Sequence, residues 1–514
     1  MAISKTNDLF HLVKSLSKSE KRSFRIFAER FQTKDSLQYL LLFDVLVKID
    51  SPNDAKIQAK LNGMAGLTYS NTKRHLYEQI LTVLRLTEKK RMPNIRVREL
   101  IDYAHLLYGK GFYMQALRIL AKAKKLAEKN HTDFSQMMII ELEKKILSRH
   151  ITRSKKTIAS DKITESSIIS QNIHNRVTLS NLRLFLHNFY VEKGHVKNEG
   201  ERVYITEKVQ QHTQLIQEDA LGMMERVYLY QSYVSYYYIL NDFEGCSTYA
   251  QKWVQLFNDT PELKVRDIDL LFRGYHYWLT SLFFLLNIAQ HKAVLLDVEE
   301  FRNAEYKTFN KNTRVESFLR VHAARLNQHF LDGTYTEGLE NVKTTLRRIQ
   351  RHRDVLDEHK VMVLYFKIAW MFFGAGDYGD TVKYLQYIIN MTTVSLRDDI
   401  QTYSRILHLM AHYNLRNFDL IPFLNNQYLR FFEKIEEKNQ FQNLCFNMFR
   451  TLNKQPVAEH STVFTEYRDY FKKLEEDEFE KRAFLYLEII PWIDTKLSNR
   501  SLSEIKRQKR LQQT

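Results

Sequence analysis

Glycine and proline are scarce in this chain, and that scarcity limits the folds it can adopt. The 514 residues include 14 Gly and 6 Pro, whereas average usage would give roughly 36 and 26. Both residues mark tight turns, strand ends and phosphate-binding loops, so their scarcity argues against β-sandwiches, propellers and glycine-rich α/β enzymes. Apolar residues recur at helical spacing, as at Ile101, Ala104 and Leu107, and no sustained two-residue alternation appears. The sequence therefore predicts an all-α protein of long helices and short connections.

The cysteines and the N-terminus indicate the compartment. Cys246 and Cys445 are the only cysteines and lie far apart, which excludes a disulfide framework and suits a reducing environment. The first eight residues lack the apolar run of a signal peptide. The most apolar stretch, residues 278–289, is too short and too polar to cross a bilayer. We therefore expect a cytoplasmic protein without a membrane partner.

A turn pattern recurs between the predicted helices. It has a turn residue, an aromatic residue two positions later, and a small or apolar residue three further on. The turn residues are Gly111, Asn241, Gly333, Gly376 and Arg416; the aromatics are Tyr113, Phe243, Tyr335, Tyr378 and Phe418; the small or apolar residues are Ala116, Cys246, Gly338, Thr381 and Ile421. The turn residue ends one helix, the aromatic wedges between the paired helices, and the small residue lets their backbones approach.

This pattern resembles the second half of a tetratricopeptide repeat. The first-helix signature of that repeat is largely missing, and the spacing is longer, since Tyr335 to Tyr378 is 43 residues and Tyr378 to Phe418 is 40, against about 34 in that family. A weaker break at Asn287 divides the longer interval from Phe243 to Tyr335. The resemblance covers about residues 95–440 and implies an α-solenoid of antiparallel helical hairpins, a tetratricopeptide-like superhelix, without placing the chain in a named family.

The sequence divides into three parts on this interpretation. Residues 1–92 are a basic helical N-terminal domain, and residues 93–495 are the helical-repeat solenoid. Within the solenoid, residues 151–200 are irregular; the Ser-, Thr- and Lys-rich part from 151 to 181 predicts an exposed loop or a repeat with an insertion. Residues 496–514 form a basic C-terminal tail that we expect to be a frayed helix end.

Positive charge is concentrated at one end of the chain. Residues 1–200 carry 36 Lys+Arg and 19 Asp+Glu, a net charge of +17, whereas residues 201–514 carry 41 of each. Such asymmetry suggests an anionic partner such as nucleic acid for the first 200 residues. A solvated basic helix surface, which aids solubility, is the alternative.

A candidate helix-turn-helix lies in the basic region, at residues 54–86. A short helix over 54–61 is followed by a Gly63–Gly66 break and a second helix from Asn71, with Ser70 as its N-cap. The first turn of that helix would meet base edges in a major groove. The candidate nucleic-acid contacts are Asn71, Thr72, Lys73, Arg74, Lys89, Lys90 and Arg91. An ordinary helical hairpin that caps the solenoid explains the same residues.

No motif indicates catalysis. Gly374-Ala-Gly376-Asp-Tyr-Gly379 matches a dinucleotide fingerprint as a string, but a predicted helix precedes it where that site needs a strand. His408 and His412 share one helix face but lack a third metal ligand and a general base. Cys246 occupies a packing position, where cysteine is usually inert. We therefore expect no enzyme activity, cofactor or metal, although catalytic groups can converge from distant positions inside a superhelix.

The tetratricopeptide register also implies an inner groove. Its candidate partner-binding residues are Tyr228, Tyr238, Arg320, Asn327, Phe366, Trp370 and Tyr413. Aromatics beside Arg and Asn suit an extended peptide or an amphipathic helix, and each of them also suits packing between repeats. The sequence thus predicts a non-catalytic binding protein or scaffold that mediates protein–protein interaction. The alternative is a nucleic-acid-associated regulator whose basic N-terminal region contacts DNA or RNA while the solenoid senses a peptide or protein.

Overall fold

In a computed structural model, the described part of the chain consists of α-helices, short 3₁₀ helices and turns, with no strand. The structure describes residues 5–30, 34–61, 66–89, 92–149, 156–352, 356–391, 398–434, 439–481 and 483–513. The all-α prediction is confirmed for these residues. Lys90 and Arg91, two of the candidate nucleic-acid contacts, lie outside them.

The first of two compact units comprises residues 1–173. Its helices are α1 (Lys5–Ser15), α2 (Lys18–Glu29), α3 (Lys34–Lys48), α4 (Asp54–Lys60), α5 (Gly66–Glu88), α6 (Pro93–Gly109), α7 (Tyr113–Lys129) and α8 (Asp133–Arg149). Helices α1 to α5 enclose a core around Phe24 and Leu76. Helices α6 to α8 enclose a second core around Leu120 and Ile139.

A single helix, α9 (Lys156–Lys193), contains the boundary between the units. The expected loop is therefore wrong for this part of residues 151–200, and residues 151–155 lie outside the described chain. Serine side chains fit the helix because they bond back to its carbonyls, as the Ser167 hydroxyl does to the Ile163 carbonyl oxygen at 3.0 Å. The predicted boundaries at residues 92 and 495 stay predictions.

The second unit, residues 174–514, contains the remaining helices. They are α10 (Glu199–Thr213), α11 (Met223–Ile239), α12 (Phe243–Asn258), α13 (Pro261–Arg266), α14 (Ile268–Phe284), α15 (Ile288–Glu305), α16 (Lys311–Asp332), α17 (Tyr335–His352), α18 (Glu358–Gly374), α19 (Tyr378–Ile389), α20 (Asp398–Asn414), α21 (Ile421–Glu433), α22 (Gln440–Leu452), α23 (His460–Glu475), α24 (Ala483–Tyr486), α25 (Ile489–Ser498) and α26 (Leu502–Gln513). From α14 to α23 each helix packs against the next, and α14, α16, α18, α20 and α22 also pack against one another in that order. We call these alternate helices the first helices, and α15, α17, α19 and α21 the second helices.

The predicted turn residues all adopt the left-handed backbone conformation. Their φ angles are 79° at Gly111, 61° at Asn241, 66° at Gly333, 83° at Gly376 and 59° at Arg416. This conformation ends a helix, and the next helix then begins at a cap, as where Asp377 accepts a hydrogen bond from the backbone N–H of Asp380 at the start of α19. The five turn positions are confirmed. The weaker break begins at Leu286, with φ of 55° and Asn287 as the cap of α15.

Close contact between α17 and α18 explains two glycines, one of which is the predicted small residue Gly338. A Cβ atom at Gly374, the last residue of α18, would lie 2.2 Å from the Tyr335 ring. A Cβ atom at Gly338 would lie 2.6 Å from the Met371 sulfur. Tyr335 is completely buried, so its ring cannot move aside, and glycine is required where these helices meet.

The C-terminal helices α25 and α26 pack against other helices of the second unit. Leu502 and Ile505 of α26 are each 6% exposed, and the backbone of Ser503 lies beside Gly333 at the end of α16. Trp492 of α25 is buried and its ring meets that of Tyr413. The expectation of a frayed end is therefore wrong here, because the apolar residues of this basic segment have a core to contact.

Candidate functional site

Three successive first helices bring four cations and a histidine together. We call this group the cationic cluster; its members are Arg273 and His276 on α14, Arg320 on α16, and Lys360 and Lys367 on α18. All four charged members act electrostatically on the His276 ring, which places that ring among them. On α14, Arg273, His276 and Tyr277 follow the three- and four-residue spacing that puts side chains on one helix face.

One carboxylate is bonded to this cluster within the described chain. The Glu316 oxygens accept hydrogen bonds from Arg320 Nη2 at 3.0 Å and from Lys360 Nζ at 2.5 Å. Burial raises the pKa of Glu316, but the two cations lower it by more than burial raises it. The pKa of Glu316 is therefore below its ordinary value. Among the described residues no carboxylate lies within ion-pair distance of Arg273 or Lys367. The cluster therefore keeps an excess of positive charge.

In the described part of the chain, the ammonium group of Lys367 is surrounded by an amide and aromatic rings rather than by carboxylates. Its Nζ donates a hydrogen bond of 2.5 Å to Asn327 Oδ1, and it lies 5.5 Å from the ring centroid of Phe283 and 5.9 Å from that of Phe330. An amide oxygen and two ring faces stabilise an ammonium less than a carboxylate does. Burial lowers the pKa of Lys367 to about 8.

The cluster is partly accessible to solvent. Arg273, His276, Arg320 and Lys367 are half-buried, so water reaches them. Nevertheless burial lowers the pKa of Arg320, and burial together with the four surrounding cations lowers that of His276 to about 3. His276 is consequently neutral at physiological pH.

A row of aromatic rings leads to the cluster. Tyr190 of α9 lies 5.6 Å from Tyr238 of α11, and Tyr238 lies 5.8 Å from Tyr277 of α14, measured between ring centroids in edge-to-face contacts. The His195 ring lies 4.9 Å from that of Tyr238. We call Tyr190, His195, Tyr238 and Tyr277 the aromatic row. Burial raises the pKa of Tyr277, although Arg273 and Arg320 partly oppose that shift.

Two consecutive residues of the chain, Glu478 and Phe479, contact one arginine of α10. Glu478 pairs with Arg202 of α10 at 2.7 Å. The next residue, Phe479, places its ring 5.2 Å from the same guanidinium. Phe479 also packs against the apolar cluster around Leu186, as Tyr190 of the aromatic row does. One arginine thus binds a carboxylate and an aromatic ring from consecutive residues.

The structure places three predicted groove residues at this site. Tyr238 belongs to the aromatic row, Arg320 to the cationic cluster, and Asn327 is bonded to Lys367.

The other four groove candidates have different surroundings. The Tyr228 ring lies 5.5 Å from the Arg176 guanidinium. Phe366 and Trp370 are 7% and 5% exposed and stack on each other, which leaves little of either side chain for a partner. The Tyr413 hydroxyl bonds to His460 Nδ1 at 2.8 Å.

The candidate helix-turn-helix differs from its prediction at the second helix. Because α5 begins at Gly66, Ser70 is not its N-cap, and Asn71 to Arg74 occupy its second and third turns rather than the first. Because a helix-turn-helix contacts the DNA major groove with the first residues of its second helix, residues other than Asn71 to Arg74 would lie at that position.

Several of the candidate contacts are already engaged. Thr72 is buried and its hydroxyl donates to the Thr68 carbonyl oxygen. Lys73 pairs with Asp54 at 3.6 Å, and Lys89 pairs with Glu99 at 3.2 Å. Asn71 and Arg74 are exposed.

Another basic surface in the first unit is more open. Arg118, Lys122, Lys125 and Lys129 follow one side of α7, and all four are exposed. No carboxylate of the described chain pairs with them, whereas their neighbour Lys124 pairs with Glu165 at 2.5 Å. We call these four residues the α7 stripe. The helical rise of about 1.5 Å per residue spreads them over roughly 16 Å.

The motifs considered for chemistry have structural explanations. Gly376 is a left-handed turn residue, and α18 precedes it in place of a strand. The rings of His408 and His412 lie 4.5 Å apart, and their Nδ1 atoms bond to the Tyr428 hydroxyl and an asparagine amide. Burial raises the pKa of the Cys246 thiol to about 12. In the described ranges, no three His, Cys, Asp or Glu side chains are arranged to hold a metal ion.

Sequence reasoning missed Arg273, His276, Lys360 and Lys367. The signal was present, since Arg273 and His276 share a helix face with Tyr277, but nothing local shows that three helices stack their cations together. Comparison with protein-family models, curated proteins and solved structures returns no match. Across the described helices, none combines the length and apolar character needed to cross a membrane.

Proposed function

We propose that this chain is a non-catalytic binding protein, an α-solenoid whose first helices present a docking surface for a protein or peptide partner. The carrying observation is the cationic cluster on α14, α16 and α18, which lies next to the aromatic row and in which Arg273 and Lys367 have no acidic partner among the described residues. Buried aromatics and arginines are typical anchors of protein interfaces. The packing of alternate helices against one another supports the solenoid, and the two buried cysteines suit a cytoplasmic location.

A peptide display selection tests this proposal. Twelve-residue peptides selected on the wild-type protein are measured against Tyr277→Ala, which shortens the aromatic row, and against Tyr387→Ala, which removes an exposed tyrosine of α19. We expect enriched peptides to lose at least about tenfold in affinity for Tyr277→Ala, the effect of removing one interface anchor, and to bind Tyr387→Ala as they bind wild type. Peptides that bind both variants equally well would overturn the proposal, provided that circular dichroism shows both to be folded.

A nucleic-acid-associated role for the first 200 residues is the second candidate, and the α7 stripe supports it. Four exposed cations in line match a phosphate backbone, whereas Lys73 and Lys89 are paired within the chain. We expect salt-sensitive duplex binding that falls with Lys122→Glu/Lys125→Glu more than with Lys73→Ala/Arg74→Ala. Equal binding by all variants, or no binding at low salt, would count against this role.

A further inference from the structure

The distribution of charge in the cationic cluster indicates the chemistry of a ligand that binds there. Arg273, Arg320 and Lys367 lie on three successive first helices, and Glu316 is the single carboxylate of the described chain bonded to the cluster. Lys367 Nζ of α18 lies 5.5 Å from the ring centroid of Phe283 on α14. Arg273 and Phe283 are ten residues apart on α14, which separates them by roughly 15 Å along the helix axis. Cations spread along that length match about four or five residues of an extended acidic peptide, whereas a small free anion would contact one or two of them.

The aromatic row adds a second requirement. Tyr277 lies between Tyr238 and the cations, because its ring is 5.8 Å from that of Tyr238 and both Arg273 and Arg320 act on its hydroxyl. Aromatic pairs in edge-to-face contact contribute beyond the apolar area they bury. The Glu478–Phe479 pair on Arg202 shows the same combination of a carboxylate and a ring within this unit.

We infer that the cationic cluster and the aromatic row bind an acidic peptide segment carrying an aromatic side chain. Its carboxylates bond to Arg273, Arg320 and Lys367, and its ring lies beside Tyr277. This inference rests on the proposed function, because it states the partner chemistry of the same surface.

A defined probe tests the inference. The probe is a fluorescein-labelled octapeptide, Glu-Glu-Phe-Glu-Glu-Phe-Glu-Glu, titrated with the full chain at low salt and followed by fluorescence anisotropy. Lys367→Met keeps the apolar stem of the side chain and removes its charge. Lys292→Met is the matched control, since Lys292 is an exposed lysine of the second helix α15. A Lys-Lys-Phe-Lys-Lys-Phe-Lys-Lys peptide and inorganic phosphate serve as the other ligands.

The expected result is saturable, salt-sensitive binding of the acidic peptide, weakened at least about tenfold by Lys367→Met, the effect of removing one charge-assisted hydrogen bond. Lys292→Met binds as wild type does, and the basic peptide does not bind. Arg320→Gln weakens binding independently, and melting curves for each variant show that it is folded.

Three results would overturn the inference. The first is acidic-peptide binding that Lys367→Met and Arg320→Gln leave unchanged. The second is absence of binding at low salt. The third is displacement of the peptide by phosphate at a similar concentration, which would identify the cluster as a site for a small free anion. A display selection that yields Tyr277-dependent peptides without acidic residues would reject the inference and leave the proposed function standing.

Discussion

The hydroxyl of Tyr335 donates a hydrogen bond of 2.7 Å to a carboxylate oxygen of Glu488, which lies 153 residues further along the chain. The same carboxylate accepts a hydrogen bond from Lys506 of α26. Tyr335 opens α17 and is fully buried. One carboxylate therefore joins the turn between α16 and α17 to the C-terminal helices.

Removing apolar side chains from α26 will destabilise the second unit. Leu502→Ala and Ile505→Ala each leave a cavity at a residue that is 6% exposed, and we expect each to cost about 2–5 kcal/mol of unfolding free energy. Leu497→Ala, at a residue that is 39% exposed, should change stability little. Denaturant unfolding monitored by circular dichroism measures all three, and equal midpoints would contradict the packing of α26.

Lys367→Met will raise the melting temperature while it weakens the proposed binding. Burial lowers the pKa of Lys367 to about 8, so the folded state disfavours its charge, and removing that charge should raise the melting temperature by about 1–3 °C. The charged side chains of the same cluster are Arg273, Arg320, Lys360 and Glu316.

The stabilisation by Lys367→Met depends on pH. Between about pH 8 and the ordinary lysine pKa of 10.5 the unfolded chain binds more protons than the folded one, so wild-type stability rises there relative to Lys367→Met. The melting-temperature difference is therefore largest below pH 8 and disappears toward pH 10.5. A melting-temperature difference that stays constant from pH 7 to 10.5 would show that the pKa of Lys367 is not lowered in the folded state.

Two glycines of the string from 374 to 379, Gly374 and Gly379, will respond differently to alanine. Gly374→Ala places a Cβ 2.2 Å from the Tyr335 ring, which should cost about 1–3 kcal/mol or more. Gly379→Ala meets its nearest atom at 3.7 Å on α19, and helix propensity predicts a neutral or stabilising change. Thermal melting of both variants is the measurement. Similar destabilisation by both variants would mean that the contact with Tyr335 is not the reason why position 374 requires glycine.

Stability will fall as the pH drops below 6.5. Burial lowers the pKa of His322 and of His408 to about 3 each, with nearby arginines adding to the shift and His412 adding at His408. Between pH 6.5 and 3 the unfolded state binds more protons, so each histidine removes up to about 1.4 kcal/mol per pH unit. His408→Gln should reduce the slope of unfolding free energy against pH. A variant slope equal to that of wild type would reject a buried neutral His408.

The turns were predictable from sequence because their cause is local. A left-handed residue must end each helix, and Gly111, Gly333 and Gly376 adopt that conformation without strain, with caps such as Asp377 following directly. The same reasoning located Asn241, because asparagine tolerates this conformation better than most residues.

The cationic cluster was only partly predictable. Arg320 and Asn327 follow from the repeat register. The surroundings of Lys367 depend instead on the packing of α16 against α18 and on the lack of a carboxylate partner for it among the described residues. Charge summed over residues 201–514 is zero, which hides a local separation of charge. Likewise the three-residue spacing of Leu502 and Ile505 is visible in sequence, but the approach of α26 to Gly333 is not, because Ser503 and Gly333 lie 170 residues apart in the chain.

The hydrogen bond between Tyr335 and Glu488 also has a consequence for synthesis. At about 5–20 residues per second, the ribosome needs roughly 8–30 s to pass from one residue to the other across the 153 positions between them. For that time α17 exists without the acceptor for its buried hydroxyl and without α26 against the turn before it. The turn between α16 and α17 therefore reaches its final packing only after α26 has emerged, and during that interval the surface that α26 later covers is accessible to chaperones and open to misassembly.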